Sequence, residues 1–478
     1  MVSYGVRRAI NEIRHILESQ WKNGMLPQIR FLDGQEGYSP DSQEWGVTRE
    51  ISGADMDTSG ITQPPNVGIS LWKVYEKSHE PEVIEFLKEA YPKIKAYHEF
   101  LLRERDPEGE YLAAVFHPWA TGTDNAPCYD ELIEDTRLKL QGYEQRIRKR
   151  KDINKVIAAY RPGERDYECY GRLIGFFVDK GFDQKAIYEE CPFVVKDVLF
   201  NCILKESVSC LAKIAEVLVK DDPYFEQEKE YNLKLAEDIA SAIRTKLYDE
   251  ETGLFYNYDV RNDRLLKVPT IHSSSPLFGK VADEKQAERL IGHLKTTFKA
   301  EVMVPTTAPS AESFENVRYW RGPVWPVTNW IILEGLRHYD EGMYEELKKD
   351  TISMICEGYP PDEKLAASLM EYTSYGEEFT TPSKSQYCHG WLWDSGFAAI
   401  GWRHVEKKVD PSIWEKVAKR KDQIALAKSR TVIKDEFDMP FYDEYYAPRT
   451  EGVYKAGQPL GAEMMTWTAA LLLDFIHA

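Results

Sequence analysis

The 478-residue sequence predicts an all-helical protein whose functional loops gather at one end of a helical scaffold. Apolar residues recur at helical spacing along most of the chain, for example at Leu211, Ile214 and Leu218. Strand signals are few and short, and the segments between the helical stretches are rich in Gly, Pro, Asn and aromatic residues. This division is typical of a toroid in which helices form the scaffold and loops carry the site.

The first helix is predicted from Ile10, Ile13 and Leu17, which fall on one face before Gly24 and Pro27 signal a stop. Two further helical stripes are Ile84, Leu87, Tyr91 and Ile94, with a kink expected at Pro92, and Leu235, Ile239, Ile243 and Leu247. The loops predicted to carry function are 31–66, 111–130, 248–278, 301–325 and 436–462.

The composition excludes several classes of partner. A net charge of −18 repels phosphate backbones and anionic lipid surfaces, so neither nucleic acid nor a membrane is an expected partner. We interpret the one basic stretch, residues 146–155, as a solvated helix end. No apolar run is long enough to span a bilayer, and the N-terminus lacks a signal-peptide core. Seven scattered cysteines without a Cys-x-x-Cys pair favour free thiols in a reducing compartment, so we expect a cytoplasmic protein.

A candidate general acid lies in the segment HPWATGTDNAP, residues 117–127. Asp124 follows Trp119 in a loop bounded by Gly and Pro, and partial shielding from water would raise the pKa of its carboxyl group. A general acid needs a raised pKa to donate a proton near neutral pH. In the alternative interpretation, Asp124 is a loop residue that bonds its own backbone.

A candidate general base lies in FYDEYYAPRTEG, residues 441–452. Glu444 is surrounded by Tyr442, Tyr445 and Tyr446, whose hydroxyl groups could orient a water molecule beside the carboxylate. The alternative interpretation is a short strand that carries surface carboxylates.

Two further segments offer contacts to a sugar. In YWRGPVWPVTNW, residues 319–330, Trp320 and Trp325 could stack on a sugar ring, and Arg321 could contact the substrate or pair with a catalytic carboxylate. The alternative is aromatic packing at a helix start, with Pro326 in the first turn. In TSGITQPPN, residues 58–66, Gln63 could read hydroxyl groups or cap a helix that begins near Val67.

Taken in order, these segments resemble glycoside hydrolase family 63, especially its compact branch of mannosylglycerate and glucosylglycerate hydrolases. The segments that carry the resemblance are TSGITQPP, HPW with GTDNAP, RPGERDY, FVVKDVLFNCIL, ETGLFYNYD, YWRGPVW, EYYAP and PLGAEMMTWTAALLLD. The resemblance implies an (α/α)6 barrel, inverting hydrolysis of an α-glycosidic bond in a small carbohydrate, and no metal or other cofactor. It also implies one catalytic domain over residues 1–478.

The resemblance assigns the acid to Asp124 and the base to Glu444. The sugar-site residues that it implies are Gln63, Trp119, Tyr319, Trp320 and Trp325. In the glycerate hydrolases an Arg and a Tyr hold the glycerate carboxylate, and these positions match Arg161 and Tyr167 here. A closing N-terminal loop would include Tyr38 and Trp45.

This sequence departs from the family pattern in two places. Ala126 and Tyr129 stand where Ser and Trp are common, which predicts altered packing behind the acid. An insertion, predicted within about 340–435, separates YWRGPVW from EYYAP and could be a lid, an oligomer contact or part of a remodelled pocket. The aglycone, the group released by hydrolysis, is therefore either a charged glyceryl group, as Arg161 and Tyr167 favour, or a neutral sugar.

Two other functions fit a helical toroid. Sugar 2-epimerases of this architecture use His pairs, and His117 and His389 lie in suggestive segments. A non-catalytic glycan-binding relative usually lacks a catalytic carboxyl group. Because Asp124 and Glu444 are both present in this sequence, hydrolysis is the favoured reaction.

Overall fold

The computed structural model describes residues 6–31, 39–154, 158, 161–300, 304–316, 318–357, 445–446 and 459–460. Their helices are α1 (Val6–Glu18), α2 (Ser42–Trp45), α3 (Arg49–Ser52), α4 (Val67–Lys77), α5 (Pro81–Glu104), α6 (Asp130–Lys139), α7 (Glu164–Asp179), α8 (Gln184–Glu190), α9 (Val198–Leu218), α10 (Tyr224–Lys246), α11 (Glu284–Lys295), α12 (Pro326–Tyr339) and α13 (Glu341–Glu357). Short 3-10 helices span Pro118–Thr121, Pro127–Tyr129, Asp152–Asn154 and Ile271–Lys280.

The predicted helical stripes form the core. Leu211, Ile214 and Leu218 are fully buried on α9, which packs against α4, α5, α10 and the 271–280 segment. Ile239 and Ile243 are buried on α10, which follows α9 along its length. Helix α5 continues through Pro92. The mostly helical class is therefore confirmed, whereas the (α/α)6 arrangement stays a prediction.

The strands of the described residues are each two residues long, in agreement with the weak strand signals. They are β1 (Ala114–Val115), β2 (Val195–Lys196), β3 (Tyr248–Asp249), β4 (Leu254–Phe255), β5 (Tyr258–Asp259), β6 (Arg264–Leu265), β7 (Tyr445–Tyr446) and β8 (Pro459–Leu460). An antiparallel sheet runs in the order β1-β2-β5-β6, while β3 pairs with β4 and β7 pairs with β8. The larger sheet joins the chain just before the Asp124 loop to the start of α9.

Several predictions fall partly or wholly outside the described residues. Helix α13 begins the predicted 340–435 insertion, and the remainder of that insertion lies beyond the described part. Tyr38, Glu444 and His389 also lie outside it, and the single-domain assignment stays a prediction. Within the described helices, none is long and apolar enough to cross a membrane.

Candidate active site

The loop between β1 and α6 carries the candidate acid. His117 begins the 3-10 helix Pro118–Thr121, and its Nδ1 accepts a hydrogen bond from the Trp119 backbone N–H at 3.1 Å. Gly122 ends this helix in the left-handed region, with a φ of 80°, which glycine adopts at little cost. The chain then turns inward, and Asp124 is 9% exposed.

Three consecutive residues of this loop are each held by a different part of the fold. The bonds are Thr123 Oγ1 with His272 Nε2 at 2.8 Å, the Tyr170 hydroxyl to the Asp124 carbonyl at 3.1 Å, and the Trp320 backbone N–H to Asn125 Oδ1 at 3.1 Å. The 271–280 segment, helix α7 and the loop before α12 therefore fix the backbone on both sides of the acid. Such fixation favours a well-defined direction for a proton transfer.

The surroundings of Asp124 favour its protonated form. Burial raises the pKa of its carboxyl group to about 7, against opposing effects from its own backbone N–H and from the positive charge of Arg161. Asp166 and Asp152 add smaller upward effects. The effect of its own backbone N–H, which the alternative interpretation invokes, is thus outweighed by desolvation. A carboxylic acid with this pKa can donate a proton to a leaving oxygen near neutral pH.

An aromatic wall lies beside the acid. The Trp119 ring is 4.8 Å from His117, 5.2 Å from Tyr170 and 6.2 Å from Tyr167 between centroids. Trp45 is fully buried, with its ring centroid 6.3 Å from that of Trp119. Trp45, which we predicted in a closing loop, therefore packs behind the wall in this conformation.

The aromatic residues before α12 pack mainly on one another. Trp320 and Trp325 are stacked with centroids 3.8 Å apart and an interplanar angle of 14°, and they are 7% and 3% exposed. The Trp325 indole N–H donates to the Tyr319 carbonyl at 3.0 Å, and α12 begins at Pro326. The helix-start packing of the alternative interpretation is confirmed. Sugar stacking by either indole stays a prediction, and it is limited to faces and edges outside this stack.

Arg321 pairs with carboxylates other than Asp124. Its Nη1 and Nη2 donate to Asp130 at 2.6 and 2.8 Å, and its Nε lies 2.7 Å from Glu315. The two-bond ion pair with Asp130 attaches the loop before α12 to the start of α6, directly after the acid loop. Arg321 therefore supports the walls of the site, and its predicted substrate contact is not tested.

Gln63 lies in the loop that precedes α4, and this loop contacts the acid loop. A Cβ added at Gly122 would be 3.6 Å from Pro64, which shows that the two loops touch. The Gln63 carbonyl accepts from the Tyr97 hydroxyl at 2.9 Å, and its side chain is exposed. Helix α4 begins at Val67 as predicted, but Asn66 occupies the N-cap position. The Gln63 amide is thus exposed beside the acid loop.

Arg161 and Tyr167 are both close enough to Asp124 to interact with its charge. Arg161 is over the Tyr319 ring at 4.8 Å, and its Nε is 3.8 Å from an Asp152 carboxylate oxygen. Tyr167 faces the edge of Trp119. The structure therefore brings the two predicted carboxylate-binding residues to the neighbourhood of Asp124.

The family model of the mannosylglycerate hydrolase MGH1-like glycoside hydrolase domain matches residues 2–378. The chain belongs to this glycoside hydrolase family. A mannosylglycerate hydrolase of Rubrobacter radiotolerans is 33% identical over 363 residues, which cover 74% of this chain and 79% of the relative. A glucosylglycerate hydrolase of Mycolicibacterium hassiacum is 27% identical over 375 residues, covering 71% and 82%.

Solved structures agree with the family assignment. The GH63 mannosylglycerate hydrolase of Thermus thermophilus in complex with Tris has a TM-score of 0.66 at 27% identity, covering 99% of this chain and 91% of that one. The same enzyme in complex with Tris and D-glycerate has a TM-score of 0.65 at 26% identity, with the same coverage. The present chain is thus a glycoside hydrolase with the fold of this family.

This family member packs a polar cluster around Tyr129, behind its acid loop. The Tyr129 hydroxyl donates to Asp197 Oδ2 at 2.5 Å and accepts from the Asn257 amide at 2.8 Å. Asp197 also caps α9 through the Phe200 N–H at 2.7 Å. A buried hydrogen bond therefore joins the acid loop to the N-terminus of α9, and the packing change relative to the family stays a prediction.

The sequence pattern missed two groups at the site of this hydrolase. Tyr170 lies one turn after Tyr167 on α7, and helical spacing alone could have placed it on the same face. The described part of the basic stretch, residues 146–154, is not a helix end, since it runs in irregular structure to the 3-10 helix Asp152–Asn154. The side chains of Arg146 and Arg150 are only 15% and 9% exposed. The solvated interpretation was wrong for these two residues, because carbonyl and carboxylate oxygens cover both guanidinium groups, whereas Arg148 of the same segment is exposed.

Proposed function

We propose that this chain hydrolyses an α-linked glycosylglycerate with inversion, using Asp124 as general acid and Glu444 as general base. The observation that carries the proposal is the position of Arg161 and Tyr167 beside a buried carboxylic acid whose pKa is near neutrality. A guanidinium recognises a carboxylate through two parallel charge-assisted hydrogen bonds, which are stronger than those that the hydroxyl groups of a neutral aglycone can accept. The relatives named for mannosylglycerate and glucosylglycerate support the same substrate class.

The sugar and the aglycone are tested together with a panel of α-glycosides. The panel contains glucosylglycerate, mannosylglycerate, glucosylglycerol, trehalose and kojibiose, and released monosaccharide is measured. We expect kcat/KM to be highest for a glycosylglycerate. Preference for trehalose or kojibiose would favour a neutral-sugar α-glucosidase instead, and an altered sugar with an intact linkage would identify an epimerase.

We also infer that the enzyme acts in the cytoplasm. The five cysteines of the described residues, Cys128, Cys169, Cys191, Cys202 and Cys210, are all buried and free. Burial raises the pKa of the thiols in this set, for example that of Cys191 to about 12, so they are protonated and unreactive. Free, buried thiols are typical of proteins in reducing compartments.

Arg161→Ala is expected to reduce kcat/KM for glycosylglycerates by roughly tenfold or more, since charge-assisted hydrogen bonds contribute about 1.5–3 kcal/mol. The value for glucosylglycerol should change much less. Steady-state kinetics on both substrates give the ratio. Arg165→Ala is the matched control, because Arg165 is an exposed cation on the adjacent α7. Equal losses on the charged and neutral substrates would show that Arg161 does not recognise the carboxylate.

We expect kcat/KM to fall as the pH rises through about 7, because Asp124 donates its proton only while its carboxyl group, whose pKa burial raises to about 7, is protonated. The Arg161 charge lowers this pKa, so Arg161→Gln should move the alkaline limb to higher pH. Profiles of kcat/KM against pH for the two proteins measure the shift. An alkaline limb that stays in place or moves to lower pH would show that another group titrates there.

A further inference from the structure

Arg150 contacts the two groups that surround the proposed glycerate subsite. Its guanidinium carbon lies 3.9 Å from the centroid of the Tyr167 ring. Its Nε and Nη2 donate to the two carboxylate oxygens of Asp152 at 3.1 and 2.7 Å. Asp152 in turn lies 3.8 Å from the Nε of Arg161. One side chain therefore connects Tyr167 with the carboxylate that faces Arg161.

These groups are shielded from solvent. The side chains of Arg150, Asp152 and Arg161 are 9%, 10% and 11% exposed. Contacts between charged groups are screened less in such a place than on the open surface. A displacement of Arg150 is thus expected to be felt at both Tyr167 and Arg161.

The segment before Arg150 is anchored independently of it. The Gln145 amide donates to the backbone carbonyl groups of Tyr167 and Glu168 at 3.2 and 3.3 Å. The segment also packs closely against α7 at two glycines. A Cβ at Gly171 would lie 1.3 Å from Gln145 Oε1, and a Cβ at Gly175 would lie 2.1 Å from the Glu144 carbonyl oxygen. Arg150 is therefore presented to Tyr167 from a backbone that is fixed on the same helix.

We propose that Arg150 and Asp152 are positioning residues of the glycerate subsite. This inference rests on the proposed function. Arg150 packs on the Tyr167 ring, which also contacts Trp119, and its two-bond fork holds the Asp152 carboxylate in the place from which it orients Arg161. A guanidinium can stack on a phenol ring and form a two-bond fork at the same time, which an ammonium group cannot do. Arg150 and Asp152 therefore determine the preference for an anionic aglycone through Tyr167 and Arg161, the residues proposed to contact the aglycone.

Arg150→Lys tests this role because it keeps the charge and removes the fork and the stacking. We expect the ratio of kcat/KM for glucosylglycerate to that for glucosylglycerol to fall roughly tenfold, mainly through KM, given the usual coupling energies of contacting residues. The dissociation constant of D-glycerate, measured by calorimetry, should rise by a similar factor. Arg148→Lys is the matched control, since Arg148 is exposed in the same segment. An unchanged ratio and an unchanged affinity for D-glycerate would overturn the proposal.

Asp152→Asn and the double variant distinguish positioning from general damage to the fold. Because both residues act through one fork, Arg150→Lys combined with Asp152→Asn should lower the ratio little more than either change alone. Effects that multiply in the double variant would overturn the shared role. The proposed function is judged separately by the wild-type enzyme: if it does not prefer glucosylglycerate or mannosylglycerate to neutral glycosides, the proposed substrate fails, and with it this inference. If it prefers one of them and Arg150→Lys keeps the ratio, only the positioning role fails.

Discussion

Asp124→Asn is expected to lower kcat on a glycosylglycerate by roughly 10²–10⁴-fold, the usual contribution of proton transfer by a positioned group. The amide has nearly the same shape as the carboxylic acid but cannot protonate the leaving oxygen. The loop should keep its place, because the bonds of Thr123, Asn125 and the Asp124 carbonyl do not involve the changed side chain. Substrate binding should therefore remain largely intact.

A substrate with an activated leaving group shows whether the lost function is acid catalysis. A glycosyl fluoride of the correct sugar needs less protonation to depart than a glycerate alkoxide does. The loss caused by Asp124→Asn should accordingly be much smaller on the fluoride. Asp55→Asn, a change of the same type at an exposed loop position, is the control and should keep its rate on both substrates. An equally large loss on both would show that Asp124 is not the acid.

The scaffold was the part of the molecule that sequence patterns predicted best. The stripes on α9 and α10 are long and regular, and each is buried where the period places it. Helix starts at Val67 and Pro326 were also recognisable, since turn formers and an N-terminal Pro mark them locally. Such features depend on neighbours within one or two turns, which the sequence displays directly.

The loops were predictable in location but not in contacts. The position of Asp124 between Trp119 and a Pro-bounded turn correctly suggested a raised pKa, because shielding by nearby residues in the chain was enough to infer it. The partner Asp130 of Arg321 was not predictable, since Asp130 approaches it only after α6 and the loop before α12 pack together. Ion pairs between distant segments depend on the tertiary arrangement, and the sequence does not show which charged residues will meet.

The basic segment shows why charge alone is a poor guide to exposure. Arg146 donates to the Gln43 and Glu44 carbonyl groups at 2.7 and 2.8 Å, which attaches the segment to α2, the helix that ends in Trp45. Arg150 is held by Asp152 and Tyr167. Long cationic side chains can bury their stems and heads when carbonyl and carboxylate oxygens replace water. The segment thus joins the predicted closing loop to the predicted glycerate residues.

Glu444→Gln should also reduce hydrolysis by roughly 10²–10⁴-fold, but the loss should be similar on a glycosylglycerate and on the glycosyl fluoride. The reason is that a general base activates the attacking water, a step that an easily departing fluoride does not replace. The ratio of the rate on the fluoride to the rate on the glycosylglycerate therefore distinguishes the acid variant, Asp124→Asn, from the base variant. Retained hydrolysis of the fluoride by Glu444→Gln would exclude it as the base.

The same pair of roles fixes the stereochemistry of the wild-type reaction. In an inverting enzyme the base activates water on the face opposite the leaving group, with the two carboxyl groups about 6.5–9.5 Å apart, whereas a retaining pair stands about 5 Å apart and forms a covalent intermediate. We therefore expect proton NMR to detect the β-anomer first when an α-linked substrate is hydrolysed. Mutarotation then brings the signals toward equilibrium, so early time points decide the result. An α-anomer that appears first would mean two successive displacements, and Glu444 would then have to act as a nucleophile rather than a base.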